Sequence, residues 1–323
     1  MEKPHPSPLL ERGGMGRGVL YYLFIDDFDD DFDWGIMNIL ITGLITSSML
    51  AMLAIGFSLI FGVARIVNIA HTAFYMVAAY CIFSLSVKLG LNPVVGMLIA
   101  VVVVTVLGLL AYKFLIDPIR EHEAAVLIAT IALAMIFQEA VMLIFTGDYR
   151  TVSALIEGYF IVTGVKVFYQ QVLTFGVVLV ILGLLWVLLM KTRLGLAIRS
   201  TAEDREVANL MGMNESRLAM ITMGLSVALA GFTGAVVAPL MVLSPYMWME
   251  PLIMMMAVVV LGGLGSIKGS FVAAFILGFT EALVVFLIPK GAFLKGSVAL
   301  SIMILVLLIR PEGLFGISFE EER

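Results

Sequence analysis

The run VLTFGVVLVILGLLWVLLM, residues 172–190, decides the class of this fold. It contains no charged residue, and as a helix it would be ~28 Å long, close to the ~30 Å hydrocarbon core of a bilayer. It ends at Lys191, where a charged island spanning residues 191–217 begins, and a second apolar run follows at 218–243. Working outward, comparable runs occupy residues 36–61 and 94–116. Shorter windows lie at 70–87, at 124–145 with Glu139, at 270–288 with Glu281, and at 292–309. Residues 252–267 form one more apolar run, interrupted by Gly262, Gly263, Gly265 and Ser266, so it reads as a short or a broken span.

Composition agrees with this patterning. Mean hydropathy is +1.10. Hydrophobic residues make up 62% of the chain and charged residues 13%, against about 25% charged in an average soluble domain. The runs lack the two-residue alternation of barrel strands, which leaves helices as the only way to satisfy the backbone in lipid. The expectation is an all-α, polytopic transmembrane bundle of eight or nine spans, with broken or short helices and one helix held at the membrane surface. It divides into an acidic tail at 1–35, a membrane domain at 36–316 containing the island, and a charged tail at 317–323. Six Asp between positions 26 and 33 set the first tail apart from a signal peptide.

Orientation follows from Lys and Arg placement. The island carries Lys191, Arg193, Arg199, Arg205 and Arg217, which puts it in the cytoplasm. Counting through the spans puts Arg65, Lys113, Arg120 and Arg310 on the same side, and residues 88–93, 146–171 and 244–251 outside.

The chain lacks the residues for most chemistries. There is no G-x-x-x-x-G-K-[ST] loop to cradle a nucleotide and no H-E-x-x-H pair for zinc. His5, His71 and His122 are scattered, and Cys81 is the only cysteine, so neither a metal cluster nor an intrachain disulfide is expected. No catalytic residue is assigned. The 21 Met are spread over most spans and read as adaptable packing.

Two constellations remain. In the island, Thr201 followed by Asp204 has the [ST]-x-x-[DE] form of a helix start, and Gly212 is a stop. Val207, Leu210 and Met211 form one apolar stripe, with Glu203 and Glu206 on the other face. Such a helix either packs its stripe on its own membrane domain or offers it to a soluble partner. The second constellation places polar or Gly-rich sequence inside apolar stretches, at Asn68 and His71 and again at Gly262, Gly263, Gly265 and Ser266. Paired breaks point to a transporter's path, because unwound backbone in a membrane is tolerated where it lines a cavity or is buried in protein. The alternative for Asn68 and His71 is a capped turn at the surface. Gln138 and Glu139 read as structural, either snorkelling or bonding to a neighbouring helix.

The stretch Glu206-Val207-Ala208-Asn209-Leu210-Met211-Gly212 reads E-x-A-x-x-x-G and resembles the EAA loop of ABC importer permeases. Residues 195–204, 62–71, 127–131, 262–266 and the ending Arg310-Pro311-Glu312-Gly313-Leu314-Phe315-Gly316 resemble, in order and spacing, LivH-type permeases of branched-chain amino acid importers. The likeness covers residues 36–316. It departs at Val207, where the motif has Ala, at Thr72, where the family commonly has Gly, and in the Asp-rich start.

The resemblance implies a multi-pass subunit of a bacterial or archaeal cytoplasmic membrane that carries leucine, isoleucine and valine. It implies a second, LivM-like permease, two cytoplasmic ATPases that bind the ATP and Mg, and an external substrate-binding protein. No cofactor is expected on this chain, and no nucleic acid. Thr201, Glu203, Glu206, Val207, Ala208, Leu210, Met211 and Gly212 would couple to an ATPase. Asn68, His71, Gly262, Gly263, Gly265 and Ser266 would line the path. Urea or simple sugars are the alternative substrates within the superfamily. A stand-alone secondary transporter is the alternative from another class, with Glu139 and Glu281 as its ion sites.

Overall fold

The computed structural model describes residues 32–162 and 164–316. Most of the expected acidic tail and all of the tail at 317–323 lie outside the described residues. Among those residues the chain forms eleven α-helices and one two-stranded hairpin. Helix α1 is Phe32–Ala64 and α2 is His71–Ile82, which continues through a π-helical turn to Lys88. Helix α3 is Pro93–Ala111, extended by irregular turns to Ile119, and α4 is Glu123–Phe145. Strands β1 (Tyr159–Val162) and β2 (Val165–Phe168) precede α5 (Tyr169–Lys191). The island supplies α6 (Arg193–Glu203) and α7 (Arg205–Leu210), and the chain closes with α8 (Glu215–Val237), α9 (Met249–Gly262), α10 (Ile267–Leu287) and α11 (Lys295–Ile309).

Six of these are long and apolar enough to cross a membrane: α1, extended α3, α4, α5, α8 and α10. Helices α9 and α11 are shorter apolar pieces. The protein is a polytopic helical membrane protein. Apolar side chains are buried between helices and also cover the outside, as on α3 at Val102 and on α5 at Leu184. The hairpin was not anticipated by the hydropathy pattern. It pairs antiparallel with Val162 opposite Val165, and Gly164 turns it at φ +87°.

Helices α1 and α8 are the most enclosed of the six, and α3, α4 and α5 form the periphery. A close seam runs between α1 and α10, where Gly278 faces the backbone of Ser47 so closely that a Cβ would stand 2.6 Å from the Ser47 Cα. The hydroxyls of Ser58 and Ser270 meet at 2.5 Å along the same seam. Small residues serve here because apolar side chains gain nothing from leaving lipid, so helices associate through close packing and hydrogen bonds.

One end of the bundle gathers the island, residues 117–120, Arg65 and the turn after α9. Arg65 reaches the Ala202 carbonyl at 3.4 Å, and Arg120 pairs with Glu215 at 3.7 Å. The opposite end holds the Lys88 ammonium over the Phe145 ring at 4.6 Å and a bridge between Arg150 and Leu243. This is the alternation of loops expected from the basic residues.

Candidate functional site

The island is built as two short helices with separate caps. The Thr192 hydroxyl accepts from the Gly195 N–H at 3.0 Å to start α6, and the Asp204 carboxylate accepts from the Val207 N–H at 3.0 Å to start α7. The start expected at Thr201 is therefore corrected. Thr201 lies within α6, buried beside Ile198, and Asp204 is the cap, because α6 runs on through Glu203 before the chain turns. The stop at Gly212 is where it was expected. With φ at +82° it occupies the left-handed region that glycine enters at little cost. Its N–H bonds to Asn209, and the Met213 N–H bonds back to Ala208, which together make a Schellman end.

The α7 stripe is not packed on its own domain. Val207, Leu210 and Met211 are 53%, 78% and 86% exposed in the order Val207, Met211, Leu210, while Ala208 is buried beneath them. Glu203, Glu206 and Gly212 are exposed as well. Beside the stripe is a concavity of about 560 Å³ lined by Ser200, Glu203, Val207, Met211 and Met213.

A six-residue helix has little stability alone, and this one is pinned by Glu215, the first residue of α8. Its carboxylate pairs with Arg205 of α7 and with Arg120, which also pairs with Asp117 at 3.5 Å. Asn209 of α7 donates to the same carboxylate at 3.3 Å. Burial, followed by the like charges of Arg120 and Arg65, pulls the Arg205 guanidinium below its ordinary pKa. Glu215 is thus the anion that holds two cations together. Sequence reasoning missed it, since the cluster forms only when Arg120, far away in the chain, is brought beside Arg205 and Asn209.

The second constellation lies deep in the bundle. After Ala64 the chain leaves the helix, passes Arg65 with φ at +56°, and re-enters it at His71. The His71 Nε2 lies 3.2 Å from the Leu53 carbonyl, and Nδ1 lies 3.2 Å from the Ser226 hydroxyl. A carbonyl only accepts, so Nε2–H donates to Leu53 and Nδ1 of the neutral ring accepts from Ser226. Leu53 lies eleven residues before the end of α1 and Ser226 eleven residues into α8, so both are ~16 Å from the island end, near the middle of a bilayer. Helix α2 therefore starts inside the bundle, and the surface-turn reading of Asn68 and His71 does not describe it.

Polar groups surround this start. The Thr130 hydroxyl accepts from the Ile69 N–H at 3.3 Å, and Asn68 reaches the Met223 sulfur at 3.7 Å. The Asn68 Oδ1 and the Thr72 hydroxyl have no partner, and both residues are fully buried. Each such orphan costs about 1–3 kcal/mol, a cost usually explained by water or a ligand in some state. No side chain caps the first turn of α2.

The glycine run is a different object. Gly263 (φ +99°) and Gly265 (φ +82°) turn the chain between α9 and α10, and the Ser266 hydroxyl caps α10 by accepting from the Gly269 N–H. The turn is covered by the last described loop, with the Leu314 N–H donating to the Leu261 carbonyl and the Phe315 N–H to the Gly262 carbonyl. Gly265 sits against Gly62. The structure thus places Gly262, Gly263, Gly265 and Ser266 near the end of α1, apart from Asn68 and His71.

The intramembrane acids have partners within the chain. Lys295 pairs with Glu281 at 3.0 Å and with Glu250. Gln138 is buried, accepts from the Trp248 indole N–H at 3.0 Å and donates to Glu139 at 3.3 Å. Among the described residues no group of His, Cys, Asp and Glu could hold a metal.

Residues 39–308 match the family model described as branched-chain amino acid transport system / permease component. The high-affinity branched-chain amino acid transport system permease protein BraD of Pseudomonas aeruginosa is 31% identical, over 86% of this chain and 94% of its own. The corresponding LivH protein of Salmonella typhimurium is 28% identical, over 85% of this chain and 93% of its own. A probable LivH permease of Methanocaldococcus jannaschii is 29% identical, over 90% of this chain and 95% of its own.

Proposed function

The chain belongs to the permease components of branched-chain amino acid transport systems, and on that premise we propose how it works within one. It is a multi-pass membrane subunit and not an enzyme. In the proposed assembly it pairs with a second permease, two cytoplasmic ATPases that bind ATP and Mg, and an external binding protein that delivers leucine, isoleucine or valine. The membrane domain of residues 36–316 crosses eight times, with α2 as a ninth, internal helix, and the island faces the cytoplasm.

The observation that carries the coupling role is the outward stripe of Val207, Leu210 and Met211 on a helix capped at both ends and pinned by Glu215. An apolar stripe left bare at the membrane surface is a ready site for a soluble partner. Glu203, Glu206 and Gly212 border it, while Thr201 and Ala208 anchor it from beneath. The path runs past Asn68, Thr72 and His71, where buried polar atoms stand unpartnered. The turn at Gly262, Gly263, Gly265 and Ser266 borders its cytoplasmic end through Gly62.

Reconstitution tests the proposal. The chain alone in liposomes should move no amino acid against a gradient. With the second permease, both ATPases and the binding protein it should give ATP-dependent leucine uptake. Gradient-driven uptake by the chain alone would overturn the importer reading, and ATP-driven uptake of urea or ribose but not leucine would overturn the substrate.

A further inference from the structure

Below the start of α2 lies a second concavity, of about 300 Å³, between the end of α1 and the start of α4. Its walls include Ile66, Val67, Val126 and Leu127, and it carries one cation, Arg65, and one anion, Glu123. Its volume is at the bottom of the ~300–1,000 Å³ range of small-molecule sites, which suits a ligand the size of one amino acid.

The two charges are not paired with each other. Among the described residues neither Arg65 nor Glu123 makes an ion pair. The Arg65 guanidinium makes one long bond, at 3.4 Å, to the Ala202 carbonyl. Its backbone is held at φ +56°, a conformation uncommon outside glycine, and strain of this kind gathers at functional sites. Opposite charges that line one small hollow without meeting leave a gap that a zwitterion can bridge. The hollow also adjoins the break: Val67 precedes Asn68, and the Thr130 hydroxyl that holds Ile69 lies one turn beyond Val126 and Leu127.

We propose that this hollow is an inner substrate site for an α-amino acid with an aliphatic side chain. Arg65 takes the carboxylate, Glu123 takes the ammonium, and Ile66, Val67, Val126 and Leu127 hold the side chain. It is the last station before release to the cytoplasm, and it rests on the reading of the chain as a branched-chain amino acid permease.

The test uses the full complex in nanodiscs, without ATP and without the binding protein, and three probes. Leucine carries both charges, 4-methyl-2-oxopentanoate lacks the ammonium and 3-methylbutylamine lacks the carboxylate. The intact complex should bind leucine about tenfold or more tightly than either analogue, since each lacks one charge-assisted bond. Arg65→Gln should weaken leucine and the oxo acid but leave the amine unchanged. Glu123→Gln should weaken leucine and the amine but leave the oxo acid unchanged. Equal binding of all three probes to the intact complex, no leucine binding, or parallel loss of all three in both variants would overturn the site. The comparison of probes on the intact complex needs no variant to fold. ATP-dependent leucine uptake, measured alongside with the binding protein restored, separates the two readings. Uptake without the probe pattern overturns this site alone, and absence of uptake by the intact complex overturns the function on which it rests.

Discussion

Replacing Glu215 by Gln keeps the size of the side chain and removes the charge that Arg205 and Arg120 share. An exposed ion pair is worth ~0–1 kcal/mol, and breaking a buried one costs ~3–5 kcal/mol. The Glu215 side chain is 18% exposed and its two partners about a third, so the loss should fall between these limits, at ~2 kcal/mol. Helix α7 has six residues and no stability of its own, so the loss appears as local opening of the island. At 1.4 kcal/mol per factor of ten, ~2 kcal/mol raises the open population by about thirtyfold. Hydrogen exchange reads this directly at the Gly212 and Met213 amides, which close the Schellman end. Both should exchange about thirtyfold faster in Glu215→Gln, while Glu206→Gln, which alters an exposed residue of the same helix, should leave them unchanged. Unaltered exchange at both amides in a properly assembled Glu215→Gln complex would refute the claim that this carboxylate pins α7.

Gly212→Val places a β-branched residue at φ +82°, at a cost of at least ~1 kcal/mol; leucine uptake should fall while insertion into the membrane and copurification of partner subunits persist. Gly278→Ala forces a Cβ to within 2.7 Å of the Ser47 backbone and should lower the stability of the solubilised protein by ~1–3 kcal/mol, whereas Gly176→Ala, which meets nothing within 4 Å, should leave its thermal midpoint in place.

The helical class was readable because hydropathy over twenty residues is a local property. So was the end of α7, since a left-handed glycine after an apolar stripe has a local cause. Its start was not, because Thr201 and Asp204 can each cap a helix, and the choice depends on α6 running through Thr201. Asn68 and His71 stood out as polar residues in an apolar stretch, but the partners of His71, Leu53 and Ser226, lie 18 and 155 residues away, and Met223, which Asn68 reaches, lies 155 residues from Asn68. The glycine run gave the same kind of signal for a different structure, a tight turn under the last loop. Composition does not separate the two, since glycine serves close packing and unwound backbone alike. Glu215 left no local mark, because its role exists only once the turn that follows α3 has met α7 and α8.

The seam between α1 and α10 has a mechanical consequence. Where Gly278 meets Ser47, the clearance is that of a hydrogen atom, and Phe275 and Phe279 flank the spot on the same helix. Even a partial slip carries a ring toward a place that admits none, so the two helices travel as one strut. Packed helices have discrete arrangements and do not deform continuously, so a displacement of the neighbouring helices against this strut is taken up where the strut ends. That place is the non-helical stretch 65–70, a fulcrum set between a stiff beam and α2 and tied to the less enclosed α4 by the Thr130 hydroxyl.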